Sequence, residues 1–69
     1  GEEEKAIRMI QDLYFYYEAH PEKMPEQYLK QLREGEMPEI AVCDYIAGMT
    51  DNFAVKKFEE IFIPQSWKF

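Results

Sequence analysis

Residues 7–17 read IRMIQDLYFYY, from Ile7 to Tyr17, inside a segment from Glu2 to His20 that contains neither proline nor glycine. Ile7, Ile10, Leu13, Tyr14 and Tyr17 recur at steps of three and four, the spacing that lines up side chains on one face of an α-helix. This predicts a long first helix over about residues 2–20. Glu2, Glu3 and Glu4 open it, where the helix dipole favours negative charge. His20 closes it, because the residue before Pro21 is pushed out of helical conformation.

Outward from this helix, proline and glycine punctuate the chain. Residues 21–24 read as a linker. Pro25 suits the first turn of a second helix over 25–34, and Gly35 suits a left-handed cap at its end. Tyr28, Leu29 and Leu32 give that helix a narrow apolar stripe. Pro38 can open a third helix over 38–48 through Ile40, Ala41, Val42, Cys43, Tyr45, Ile46 and Ala47. Gly48, Met49 and Thr50 then offer a kink or a break, with Thr50 able to cap a fourth helix over 51–62. Ala54, Phe58, Ile61 and Phe62 form its expected core face, and Pro64 stops it. In the tail, 63–69, Trp67 and Phe69 are expected to fold back on the bundle. No strand pattern or repeat is visible, so the chain reads as all-α, a small bundle of about four helices.

Sixty-nine residues make a single domain, and a chain of this size buries only about 60% of its unfolded surface. Its core is expected to be marginal. Cys43 is the single cysteine, so an internal disulfide is ruled out and a structural zinc site lacks its ligands. That usage fits a reducing, cytoplasmic compartment. Fourteen acidic residues against eight basic ones give a net charge of −6, which argues against nucleic acid or anionic membrane as a partner. No apolar run approaches the roughly 18 residues of a membrane helix. The leading Gly1 reads as an engineered start to an excised domain.

Two segments carry more apolar surface than a free-standing bundle can bury. Tyr14, Phe15, Tyr16 and Tyr17 are consecutive, so at about 100° per residue they point in four directions round the first helix. Some rings therefore face solvent as a patch, or face a surface outside this chain. The third helix is apolar round nearly its whole circumference, as in a central element, and Asp44 interrupts it. A buried carboxylate needs a partner. The expectation is an ion pair or hydrogen bonds from an adjoining element, with Arg8 or Arg33 available within the chain. If the helix ran on through Gly48, Asp44 and Asp51 would share a face about 10 Å apart, too far to hold one metal ion. Asp51 otherwise reads as a helix-start carboxylate, and Cys43 as a packing residue.

The string Ala41-Val42-Cys43-Asp44-Tyr45-Ile46-Ala47-Gly48-Met49-Thr50-Asp51-Asn52-Phe53-Ala54 closely resembles the C-terminal signature of bacterial deoxyguanosinetriphosphate triphosphohydrolase-like proteins, members of the HD-domain phosphohydrolases. The segment from Tyr17 to Pro25 resembles the same family's helix and proline-bounded linker. The resemblance covers about residues 14–62, the region known there as the phosphohydrolase-associated domain. Asn52 departs from it, standing where many relatives are expected to carry a basic residue. The resemblance implies a parent enzyme that hydrolyses a deoxynucleoside triphosphate to the deoxynucleoside and inorganic triphosphate. It also implies a divalent metal held by histidines and aspartates of an HD catalytic domain N-terminal to this segment.

None of that metal set is legible in this chain. Its one histidine, His20, precedes Pro21 and reads as a helix-end residue suited to the negative end of the dipole. The segment is therefore expected to be a non-catalytic accessory domain with no cofactor of its own. It would pack against the HD domain and help shape the nucleotide pocket or an oligomer contact. Tyr45 and Asp51 are the candidate substrate-binding residues, since a tyrosine can stack on a base and an aspartate can accept from a donor. Asp44, Gly48, Tyr14, Phe15, Tyr16 and Tyr17 are the candidate structural or interface residues. The alternative is a free-standing helical module whose aromatic surface grips a partner helix. A longer reading frame with an upstream His-Asp pair would favour the first.

Overall fold

The structure, a computed structural model, describes residues 1–63. It contains four helices, α1 (Glu2–Ala19), α2 (Glu26–Arg33), α3 (Pro38–Ala47) and α4 (Asp51–Phe62), and no strand among the described residues. The all-α bundle expected from the sequence is the one observed. Pro64, Trp67 and Phe69, with the expectations placed on them, lie outside the described residues.

Each helix end has a local cause. His20 leaves helical geometry at φ −132° and ψ 64°, while its N–H still donates to the Tyr16 carbonyl at 2.9 Å. Within the expected linker, Pro21–Lys23 forms a 3₁₀ turn. The turn carries Met24 into the core at 4% exposure, and a flexible thioether is suited to filling such a gap. Gly35 takes φ +101°. Its N–H donates to the Leu32 carbonyl at 3.1 Å and the Glu36 N–H to the Gln31 carbonyl at 3.0 Å, the paired closure of a Schellman motif. α4 starts on Thr50, whose Oγ1 accepts from the Phe53 N–H at 3.1 Å.

α1 is the longest element and packs on α3 and α4, while α2 packs on α3. The buried core is Leu13, Tyr17, Met24, Ala41, Val42, Tyr45 and Ala54. Several expectations about burial are corrected here. Ile7 is 59% and Ile10 38% exposed, because the first two turns of α1 stand clear of its neighbours, with every residue from Glu2 to Arg8 exposed. α3 is not covered on all sides: Ala41, Val42 and Tyr45 face inward, while Ile40, Cys43 and Ala47 are exposed. Cys43 is thus a surface thiol and not a packing residue. On α4, Ala54 is buried and Phe58 and Ile61 are half-buried, but Phe62 is exposed.

Asp44 is also exposed. Its Oδ2 accepts from the Gln31 Nε2 at 3.1 Å, and Arg33, an expected partner, pairs with Glu26 within α2 instead. Those two are seven residues apart, two turns along the same helix face. α3 ends at Gly48, whose φ of −85° is ordinary helical backbone. The chain then turns, so Asp44 and Asp51 belong to separate helices and the continuous-helix alternative does not apply.

Candidate functional site

The end of α3, the start of α4 and the start of α2 enclose a depression of about 270 Å³ lined by Pro25, Gln27, Tyr28, Tyr45, Gly48, Met49, Thr50 and Phe53. Local chemistry brings these residues together. Pro25 and Thr50 each precede a helix, Gly48 closes one, and Tyr28, Tyr45 and Phe53 each sit within about one turn of a helix end. The result is an open, mainly apolar concavity with a few polar atoms at its edge.

Tyr45 supplies its inner wall. It is 6% exposed, with its ring 5.1 Å from Tyr17 at an edge-on 77° and 5.0 Å from Tyr28 at 44°. Aromatic pairs prefer such edge-on and tilted geometries. The two neighbours therefore fix its ring plane. Beneath it, burial first and then the neighbouring Tyr45 hydroxyl push the Tyr17 hydroxyl far above its ordinary pKa. Tyr17 stays neutral over the whole physiological range. Gly48 sits beside Tyr28, and a methyl group added there would meet the Tyr28 Oη at 3.8 Å and the Asp44 and Tyr45 carbonyl oxygens at 3.6 Å. These are ordinary contacts.

Asp51, the second candidate for substrate binding, is exposed in the first turn of α4. It follows the groove residue Thr50 without itself lining the depression. Tyr28 and Phe53 line the groove although the sequence marked neither as a site residue. Tyr28 shows there only as part of the α2 stripe, and Phe53 as one residue of the family-like string. A signal for both was the clustering of rings at helix ends.

The four consecutive rings divide as their angular spread requires. Tyr17 is buried, Tyr14 and Tyr16 are half-buried and Phe15 is 62% exposed. Tyr16 meets Phe62 edge-on at 6.1 Å and His20 at 5.0 Å, which ties α1 to the end of α4. Tyr14 turns toward α3. Burial, then the charges of Glu18, Cys43 and Glu39, raise its pKa, and its hydroxyl donates to the Glu18 Oε2 at 3.5 Å.

The described residues do not fit a metal centre. No three His, Cys, Asp or Glu side chains among them converge on a point where an ion could sit. The His20 Nδ1 lies 3.7 Å from the Glu22 Oε2, and both side chains are well exposed. No helix among the described residues is long and apolar enough to cross a membrane.

The profile of the phosphohydrolase-associated domain matches residues 1–60. A deoxyguanosinetriphosphate triphosphohydrolase-like protein of Caldanaerobacter subterraneus subsp. tengcongensis is 46% identical over 66 residues, covering 96% of this chain and 19% of that protein. The proteins of the same description from Geobacter metallireducens and Azoarcus sp. are 45% and 42% identical, covering 87% and 86% of this chain and 15% of each relative. This chain therefore spans a fifth or less of the length of these curated relatives. No solved structure matches it. With the profile match running over most of its length, the chain belongs to the phosphohydrolase-associated domain family.

Proposed function

We propose that this domain is a non-catalytic accessory part of a metal-dependent deoxynucleoside triphosphate triphosphohydrolase of the HD family, packing against the catalytic domain and helping to form the wall of its nucleotide pocket or an oligomer contact. The observation that carries the reading is one of proportion. The chain matches its relatives over 86–96% of its own length but only 15–19% of theirs, so in them this unit is joined to a part several times larger. The hydrolytic metal belongs to that larger part, where it would activate water and stabilise charge on the phosphates. The residues described here supply it no ligand set.

The groove supports a role in the pocket wall. Tyr45, held by Tyr17 and Tyr28, would present to a bound group only the small part of its ring that reaches the groove, and such rigidity lowers the ordering cost of binding. Asp51, beside Thr50, would accept a hydrogen bond from a donor at the groove's rim or orient a basic side chain of the catalytic domain. Tyr45 is the base-facing residue in this reading and Asp51 the polar one.

The test is deoxynucleoside triphosphate hydrolysis with added divalent metal by three proteins: this chain, the full-length parent, and the parent with these residues deleted. Hydrolysis by the full-length parent alone is the expected result. Hydrolysis by the isolated chain that survives repurification would overturn the non-catalytic assignment. A deletion variant as active and as well assembled as the parent would overturn the accessory role.

A further inference from the structure

The face of α3 that turns away from the core is apolar. Ile40, Cys43 and Ala47 follow one another at steps of three and four, which places them on one stripe, and all three are exposed. On α1, Ile7, Ile10 and Tyr14 form a second stripe by the same spacing, with Ile7 59% and Ile10 38% exposed. The stripes adjoin. α1 packs on α3, and Tyr14 lies near enough to Cys43 and Glu39 for their charges to act on its hydroxyl. Phe15, 62% exposed, stands edge-on to Tyr14 at 5.7 Å and widens the surface.

We propose that this joint outer face of α1 and α3 is where the remainder of the parent polypeptide packs, namely the part of the family proteins that this segment does not cover. The proposal rests on the accessory-domain reading and names the surface through which it works. One observation favours a tethered occupant over a second copy of this domain: the relatives are far longer than this chain, which covers 19% and 15% of two of those named above. A covalently joined partner also needs less contact area than a free one, because tethering raises its effective concentration to about millimolar.

The rim fits the same occupant. Glu18 sits against Tyr14, Glu39 lies near it, and Asp44 on the opposite flank is held by Gln31. An apolar strip with an acidic rim favours a partner surface that is apolar at its centre and basic at its edge. Asp44 then has its role at this border and not in the core.

Cys43 reports on the face directly. The experiment is maleimide labelling of the native full-length parent, read by mass spectrometry of the Cys43 peptide and scaled to the rate in denaturant. The Val55→Cys variant supplies a comparison thiol on the outer side of α4, where Val55 is 43% exposed. The expected result is that Cys43 reacts at least about tenfold more slowly than a free exposed thiol, at every protein concentration. Rapid labelling of Cys43 overturns the proposal. If the α4 thiol is then protected, the accessory reading stands and a different face docks; if both label rapidly, both ideas fall. Protection of Cys43 that disappears on dilution to monomers, followed by light scattering, would identify a second copy as the occupant and overturn the tethered assignment.

Discussion

Tyr17 makes the stability of this domain depend on alkaline pH in a way that one substitution isolates. The residue is 2% exposed, and burial, followed by the adjacent Tyr45 hydroxyl, raises its pKa well above the ordinary 10.0. Below pH 10 the folded and unfolded chains both hold the phenolic proton, so the full stability is present. Above pH 10 the unfolded chain releases it and the folded chain does not, so stability falls as pH rises. The slope is about 1.4 kcal/mol per pH unit for one such group until the folded pKa is reached. At pH 11 the loss from Tyr17 alone is therefore about 1.4 kcal/mol.

Tyr17→Phe keeps the ring against Tyr45 and removes both the hydroxyl and its titration. At pH 8 the variant should be less stable by about 1 kcal/mol, the usual worth of a buried polar contact. The two stability curves should cross just below pH 11, with the variant the more stable above it. All other titratable groups are common to the two proteins, so the difference curve isolates the substitution at Tyr17. Urea unfolding followed by far-ultraviolet circular dichroism between pH 8 and 11 measures it. A stability difference that stays constant across that range would refute the argument, since it would mean that the Tyr17 hydroxyl titrates alike in the folded and unfolded chains.

Thr50→Ala removes the side-chain acceptor at the start of α4 and should cost about 1 kcal/mol in urea unfolding. Gly35→Ala should cost about 1 to 2 kcal/mol through backbone strain alone, because the φ is +101° and a methyl group there meets nothing within 4 Å. Gly48→Ala, with ordinary φ and only ordinary contacts, should stay within about 0.5 kcal/mol of the native chain. Asp44→Ala should likewise change the isolated domain by less than about 0.5 kcal/mol, yet lower the melting temperature or assembly of the full parent. Loss of bound metal from that parent at unchanged melting would contradict the border role of Asp44.

The helix ends were legible because their causes are local. Pro21 ends α1 through its neighbour, Gly35 supplies a backbone conformation that other residues resist, and Thr50 caps with its own hydroxyl. Each acts within four residues and depends on nothing distant. Burial was less legible because it depends on which surfaces are present to cover a helix. The sequence of α3 suits an element surrounded on every side, but α1 and α2 reach only part of its circumference, which leaves Ile40 and Cys43 exposed. Ile7 and Ile10 carry the spacing of core residues and yet extend past the helices that could cover them. The groove was half legible: Tyr45 stood out within the family-like string, whereas Tyr28 joins it only through the approach of α2 to α3.

These departures share one direction. Apart from Met24, which the 3₁₀ turn buries against expectation, each residue misjudged in burial was expected to be more covered than it is, and most of them lie on the outer side of α1 and α3. A random error in reading amphipathicity would scatter round the bundle and go both ways. A surplus of apolar side chains gathered on one face is what the proposed docking of a further surface there would account for, since covering apolar area stabilises by roughly 25 cal/mol per Å². The mismatch between the pattern of α3 and its exposure thus supports the docking face proposed above, and labelling of Cys43, which lies on that face, tells a covered surface from a bare one.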